Sequence, residues 1–282
     1  ISGNVIGRTL TKTGAGDLIL SGNNSVYGAL TVNNGTLTLG SGASVKQTTA
    51  VILNDTAKLN VNGGTTTIAS LAGTVGTVGN ATNTAGNLTV SGNTSTTFLG
   101  NIVDGINGGT GSVSLTKNGN GILTLGNITA NNTLAGQNRF TGGVTLNQGR
   151  INVQDPLGLG GANGSTPGLV SLNGGILSLT SNGGGPNGTI IFGNQASNGL
   201  NVAVTGYGTL NVDRVGANTG NQIQIGNLSV ANNTLTLTGG NSYSLKVAGT
   251  TTLGGAYANF ATTTGGASFI ELAGPITGAG AL

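Results

Sequence analysis

The chain has 282 residues, of which 56 are glycine and only 15 are charged, nine basic and six acidic, giving a formal net charge of +3. It contains no Cys, His, Met or Trp, which excludes disulfides, ordinary zinc sites and Ser/His or Cys/His nucleophilic catalysis. The basic residues are scattered, with no two adjacent, so the sequence predicts a sparsely charged, solvated surface and no nucleic-acid partner.

A chain rich in Gly, Asn, Thr and Ser could be disordered, but disorder usually goes with few aliphatic residues and a high net charge. Here Leu, Val and Ile recur in phase, which favours an ordered fold. We expect one repeat domain over residues 1–282, because a single domain of this length is normal for a solenoid, in which each coil needs only its neighbours. Without a Met to start it, the chain is expected to be a fragment of a longer secreted protein.

The predicted elements follow one pattern, which is clearest at residues 30–39, LTVNNGTLTL. Apolar residues alternate with Thr on both sides of an Asn/Gly corner, and a period of two around such a corner predicts strand, tight bend, strand. The pattern returns at residues 59–68, 144–153, 170–179 and 228–237, with looser copies that begin at Leu88, Leu115 and Val202.

These copies start at nearly constant intervals of roughly 28 residues, a period typical of stacked-repeat architectures. One more apolar alternation lies between most of them, at residues 18–20, 51–53, 98–103, 190–192 and 223–225. The sequence therefore predicts an all-β fold, a parallel β-helix solenoid of about ten coils, with roughly 28 residues and three short strands per coil.

Coils of equal length would place like residues above like. We predict one inward aliphatic column of Leu30, Leu59, Leu88, Leu115, Val144, Val170, Val202 and Leu228. A corner column of asparagines is expected at Asn33, Asn62, Asn118, Asn147 and Asn173, followed by Gly35, Gly64, Gly149 and Gly175 where positive φ is needed. We interpret these Asn and Gly columns as structural rather than as ligand sites.

Two long segments resemble a known repeat. Residues 8–45, RTLTKTGAGDLILSGNNSVYGALTVNNGTLTLGSGASV, and residues 98–153, with about nine inserted residues, are similar to the passenger-associated strand repeat of bacterial autotransporters. This resemblance implies a right-handed parallel β-helix, exported by the type V route to the extracellular face of a bacterium, with an outer-membrane barrel in the full-length protein. It also implies a role in adhesion, aggregation or display, with surface molecules or glycans of host or neighbouring cells as partners.

Catalytic chemistry finds little support. The six carboxylates lie 38 or more residues apart, and polysaccharide-degrading β-helices need carboxylates close together. Asp155 and Asp213 share a phase of the repeat two coils apart, about 10 Å along the stack, and we interpret them as two loop carboxylates. We therefore predict no enzyme activity, no catalytic, cofactor-binding or metal-binding residues and no cofactor.

Several functional alternatives stay open. Coil ends without caps would allow head-to-tail self-association into a filament or surface layer. Outward columns of small polar residues could bind ice, although Thr is also the default for a solvated strand. These columns are Thr31, Asn60, Thr89, Thr116, Thr145, Ser171, Ala203 and Ser229, and beside them Thr38, Thr67, Thr124, Asn152, Ser178, Asn211 and Thr236.

The aromatic residues divide into two predicted groups. The tyrosines could stack on sugars, and the phenylalanines are expected to fill the core. They are Tyr27, Tyr207, Tyr243 and Tyr257, and Phe98, Phe140, Phe192, Phe260 and Phe269. The sequence thus favours a non-enzymatic, structural or adhesive extracellular β-helix of a bacterial surface protein.

Overall fold

A computed structural model describes residues 6–7, 9–21, 23–26, 28–40, 44–45, 50–126, 138–263 and 269–278. These residues contain no α-helix and two short 3₁₀ segments, Ala162–Gly164 and Gln195–Ser197.

The N-terminal half is made of short strands. They are β1 (Ile6–Gly7), β2 (Leu10–Lys12), β3 (Asp17–Leu20), β4 (Asn23–Val26), β5 (Ala29–Val32), β6 (Thr36–Leu39), β7 (Ser44–Val45), β8 (Ala50–Leu53), β9 (Lys58–Asn60), β10 (Thr65–Ile68), β11 (Ser70–Ala72), β12 (Thr77–Asn80), β13 (Gly86–Val90), β14 (Thr96–Phe98) and β15 (Asn101–Gly105).

The C-terminal half adds two strands of 12 residues, β26 and β28, among further short ones. They are β16 (Val113–Lys117), β17 (Ile122–Leu125), β18 (Val144–Leu146), β19 (Arg150–Val153), β20 (Val170–Leu172), β21 (Ile176–Thr180), β22 (Thr189–Ile191), β23 (Val202–Val204), β24 (Gly208–Asp213), β25 (Gln222–Ile225), β26 (Leu228–Gly239), β27 (Ser244–Val247), β28 (Thr251–Thr262), β29 (Ile270–Leu272) and β30 (Ile276–Thr277).

All paired strands run parallel, and they form three faces that the chain visits in turn. Face 1 consists of β1, β4, β7, β10, β13, β16, β18, β20, β23, the first half of β26, the first half of β28, and β30. Face 2 consists of β2, β5, β8, β11, β14, β17, β19, β21, β24 and the second halves of β26 and β28, with β11 and β14 joined through the Gly73–Phe98 bridge. Face 3 consists of β3, β6, β9, β12 and β15, then β22, β25, β27 and β29. The predicted parallel β-solenoid is confirmed.

The predicted coil number and the uniform coil length need correction. Along face 2, Leu10 pairs with Leu30 and Leu30 with Val51, so these N-terminal coils advance by 20 and 21 residues. Along face 1, Leu115 pairs with Val144, an advance of 29 residues, and Val170 pairs with Val202, an advance of 32. The count therefore differs slightly from ten, and the 28-residue period describes only the later coils.

The predicted aliphatic column is wrong at its first two members. Leu30 lies on face 2, whereas Leu59 lies on face 3 between Leu37 and Val78. From Leu88 onward the column is confirmed, since consecutive members pair across neighbouring coils through Leu115, Val144, Val170, Val202 and Leu228.

The reason is a difference in strand number. From Leu30 to Leu59, and again from Leu59 to Leu88, the chain advances by four strands, which is one coil and one extra face. From Leu88 to Leu115 it advances by three strands, which is one coil. A 29-residue interval therefore means a rotated unit in the first part of the solenoid and a stacked unit in the second.

The core is a continuous apolar interior enclosed by the three faces. Inward Leu, Val and Ile are almost completely inaccessible, and Phe98, Phe140 and Phe192 are 0% exposed, as predicted for core fillers. Phe260 is only partly buried against the core. Phe269 is 51% exposed, so the prediction that it fills the core is wrong. The reason is its place, since it directly precedes β29 on the outer side of face 3.

Candidate functional site

The corner that follows the LTK segment of both repeats holds a buried lysine. Lys117 is 1% exposed, and its Nζ donates to the carbonyl oxygens of Asn118 at 2.7 Å and Gly119 at 2.6 Å. Burial lowers the pKa of Lys117 to about 8, because removing the ammonium from water disfavours its charged form. The carbonyl bonds act in the opposite direction by stabilising the charge.

Lys12 occupies the matching position of the first repeat and is 7% exposed. Its Nζ donates to the carbonyl of Gly14 at 2.8 Å and, in the next coil, to that of Asn34 at 3.0 Å. The prediction of wholly solvated basic residues is therefore wrong for these two lysines. The signal that could have found them is the LTK-x-G-x-G segment shared by residues 10–16 and 115–121.

The predicted asparagine column exists over three successive coils. The Asn147 amide donates to Asn118 Oδ1 at 2.7 Å, and the Asn173 amide donates to Asn147 Oδ1 at 3.0 Å. Asn33 instead accepts from the Asn54 amide at 2.9 Å, because coils are shorter there. Asn62 stands at another corner, where its N–H donates to Asn60 Oδ1. The ladder ties coil to coil and leaves these amides occupied.

The glycine column is confirmed at three positions and wrong at one. Gly35, Gly149 and Gly175 have φ values of 72°, 71° and 68°. Gly64 lies outside the left-handed region, which Asn62 and Gly63 occupy at that corner, with φ values of 54° and 60°. A Cβ on Gly149 would lie 2.4 Å from the Gly119 carbonyl oxygen, so stacking as well as φ requires glycine there.

The two carboxylates that shared a predicted phase have separate environments. Asp155 Oδ1 accepts from the Leu157 N–H at 2.7 Å, and burial raises the pKa of Asp155 while that bond opposes the rise. Asp213 Oδ1 accepts from the Arg214 N–H and from the Asn241 amide, both at 2.7 Å. Asp213 pairs with Thr180 on face 2, one residue out of line with Asp155, so the predicted common phase is wrong.

The outward columns are confirmed only where coils are long. Thr89, Thr116, Thr145, Ser171, Ala203 and Ser229 pair in succession on face 1, and Thr124, Asn152, Ser178 and Asn211 pair on face 2. The shorter early coils place the other predicted members elsewhere. Thr31 lies on face 2, Asn60 and Thr38 on face 3, and Thr67 on face 1, while Thr238 instead of Thr236 follows Asn211.

These columns bond internally and change identity from coil to coil. The Thr116 hydroxyl donates to Asn87 Oδ1 at 3.0 Å, and the Asn211 amide donates to Ser178 Oγ at 2.9 Å. An unbroken plane of free threonines, which ice binding would use, is therefore not what the described coils present.

A shallow cleft of about 420 Å³ lies outside face 3, where the segment after β15 folds back over the early coils. Asn107 crosses it, accepting from Lys58 Nζ at 2.8 Å and donating to the Thr36 hydroxyl at 3.1 Å. The polar side chains of Asn34 and Thr56 bond to each other across the same floor at 2.9 Å. These contacts make the cleft a structural tie between distant parts of the chain.

The tyrosines separate into buried and exposed ones. Tyr243 is 0% exposed, donating its hydroxyl to the Ser181 carbonyl at 2.8 Å and accepting from Asn221. Burial is the main cause of the raised pKa of Tyr243. Tyr207 is 78% exposed and Tyr257 is 44% exposed, while Tyr27 lies outside the described residues.

Together these features define a structural β-solenoid whose polar side chains mainly hold its own corners. Among the residues with described positions, no three Asp, Glu, His or Cys side chains gather as a metal site would require. The described part of the chain also has no helix long and apolar enough to cross a membrane.

Comparison with known proteins gives the family of the repeats. Residues 10–39 and 115–153 match the family model described as the passenger-associated-transport-repeat. No curated protein and no solved structure matches the chain. Two such repeats within a parallel β-solenoid fit an autotransporter passenger, as the resemblance implied.

Proposed function

We propose that this protein is a non-enzymatic passenger that is displayed on the bacterial cell surface and acts there as a structural or adhesive element. The observation that carries the proposal is the integration of both transport repeats into the stacked coils. The first repeat contributes strands to all three faces and the second to faces 1 and 2, so each extends the rod instead of forming a separate binding module.

The energetics of the coil support this role. A stack of parallel rungs about 4.8 Å apart makes a rod whose length grows with coil number. The described polar corners are satisfied internally by lysine and asparagine side chains, as at Lys117 and Asn147. Such a rod gives reach and a long lateral surface, which adhesion and display require.

Surface display is tested in the organism that encodes the protein. We expect proteinase K added to intact cells to digest the protein and antibodies against it to label those cells. We further expect deletion of residues 10–278 from the full gene to lower attachment to surfaces or to neighbouring cells. Protection from the protease in intact cells, or unchanged attachment and aggregation in the deletion strain, would contradict the proposal.

The non-enzymatic part has its own test. The purified protein is incubated with a panel of neutral and acidic polysaccharides, and product release is followed by reducing-end assay. We expect no release above the buffer background. Cleavage that disappears in Asp155→Ala or Asp213→Ala would show an enzyme instead.

A further inference from the structure

We propose that the corner between faces 1 and 2, in the last three described coils, binds a neutral linear oligosaccharide laid along the solenoid axis. The inference rests on the proposed surface function and names a ligand class for it. We call this surface the tyrosine ledge and define it by residues 205–209, 231–236 and 254–261.

The ledge is a widening of the corner. Between paired inward positions of faces 1 and 2, four residues form the corner after Leu172. Five form it after Val204, six after Val230 and eight after Leu253. Each added residue moves the corner further from the core, so successive coils protrude progressively.

The widened corners present two aromatic rings. Tyr207 lies in the first of these coils and Tyr257 in the third, and they are 78% and 44% exposed. Two coils correspond to roughly 10 Å along the axis. Exposed aromatic side chains on one edge mark a binding surface more than scattered ones do.

Polar groups with free hydrogen-bonding capacity lie between the rings. Asn232 accepts from the Ala256 N–H at 2.6 Å through its oxygen. Within the described part of the chain, no hydrogen bond uses the Asn232 amide NH₂ or either of the Tyr207 and Tyr257 hydroxyls. The Thr205 side chain and the Asn259 amide are also at the exposed edge.

This combination of groups fits a carbohydrate. Aromatic rings pack on the apolar C–H faces of sugars while phenol and amide groups bond to hydroxyls, since Tyr offers an apolar body with a polar tip. The three ledge segments contain no Asp, Glu, Lys or Arg. A neutral sugar is therefore favoured over an anionic one, and the axial separation of the rings requires a chain of several units.

Binding is measured by NMR and calorimetry on the purified 282-residue chain. The probes are cellotetraose, chitotetraose, maltotetraose and mannotetraose, with tetragalacturonate as the anionic comparison. The chain has four tyrosines and no tryptophan, so ring signals can be assigned. We expect at least one neutral tetramer to shift the signals of Tyr207 and Tyr257 and leave that of buried Tyr243 unchanged.

Variants separate stacking from general surface effects. We expect Tyr207→Ala and Tyr257→Ala each to weaken binding about tenfold. Tyr207→Phe should retain most of the affinity because it keeps the ring. Phe269→Ala removes an equally exposed aromatic side chain from face 3 and should leave binding unchanged.

Three results would overturn the inference. They are no binding of any neutral tetramer, binding that survives both alanine substitutions, and preference for tetragalacturonate. A protein displayed on cells that fails this test would lose only the oligosaccharide site. A protein that binds through the ledge but stays inside the cell would lose the proposed function instead.

Discussion

At the scale of single residues, the buried lysine of the transport repeat is the most unusual feature. Lysine is rarely buried without a partner, and Lys117 uses neutral carbonyl oxygens in place of a carboxylate. Its ammonium fastens the backbone of the corner, which explains why the motif places lysine directly before a glycine turn.

This environment predicts a pH dependence of stability. The pKa of Lys117 is about 8 in the folded protein, below the ordinary 10.5. Between these pH values the unfolded chain binds more protons than the folded one. The free energy of unfolding therefore rises as pH increases from about 8 to 10.5 and is lost again as pH falls through this window.

Comparison with Lys117→Met isolates this contribution, because Met keeps the apolar stem and cannot titrate. In urea unfolding from pH 7.5 to 10.5, the wild type should gain about 1–3 kcal/mol of stability relative to the variant. A difference that stays constant across the series would mean that the lysine titrates alike in both states.

A second residue-scale prediction concerns a threonine in the aliphatic column. Thr251 pairs with Leu228, is 0% exposed, and its Oγ1 has no hydrogen-bond partner among the described residues. An unpaired buried hydroxyl carries a desolvation cost, so Thr251→Val should stabilise the protein by about 1–2 kcal/mol. Thermal and urea unfolding measure the change.

Thr180→Val is the matched control, since the Thr180 hydroxyl donates to the Val153 carbonyl at 3.1 Å. Here the same substitution removes a bond and leaves a carbonyl without it, so stability should fall by about 1 kcal/mol. Equal effects of the two valine substitutions would show that the hydroxyl of Thr251 is not unpaired.

At the scale of the element, the corner glycines decide how closely coils approach. Gly149 combines a φ of 71° with carbonyl oxygens of Gly119 and Gly121 at 2.4 and 2.6 Å from the position of a Cβ. Gly149→Ala should therefore destabilise the protein by about 2–5 kcal/mol, from backbone strain plus overlap with the neighbouring coil. Urea unfolding measures the loss.

Gly14→Ala separates the two causes, because Gly14 has a φ of 75° and no atom lies within 4 Å of the place that a Cβ would occupy. It should cost only the strain, about 1–2 kcal/mol. Similar losses in both variants would show that overlap between coils does not limit residue size at the Gly149 corner.

The strand pattern could be predicted from the sequence because alternating apolar and Thr residues around Asn/Gly corners permit little else. The number of strands per interval could not. A strand-corner-strand unit such as residues 30–39 fits any of the three faces, and nothing in its residues records which face it occupies. The 29-residue step to Leu59 therefore looked like one coil, although it contains four strands.

The candidate site shows the same limit. The exposed tyrosines were identified as possible sugar contacts, but placing Tyr207 and Tyr257 on one corner needs the coil lengths, which only the strand pairing supplies. The roles of Lys12 and Lys117 required burial, which a scattered charge pattern conceals.

At the scale of the whole molecule, stability should be distributed coil by coil. Each rung contacts only its neighbours, so stability is approximately a sum of coil and interface terms. Long-range ties such as the Asn107 side chain on Thr36 connect only adjacent regions of the rod outside face 3. A local defect should therefore open nearby coils and leave distant ones protected.

Amide hydrogen exchange on Leu177→Ala tests this distribution. Leu177 is 0% exposed on face 2 between Ile151 and Leu210, so its truncation should cost about 2–5 kcal/mol. Exchange should accelerate in β19, β21 and β24 and stay unchanged in β5 and β8. Leu30→Ala, an equally buried leucine on the same face, should give the reverse pattern because it lies near the other end. Uniform acceleration in both variants would show one cooperative unit, in which strain at any coil reaches every other.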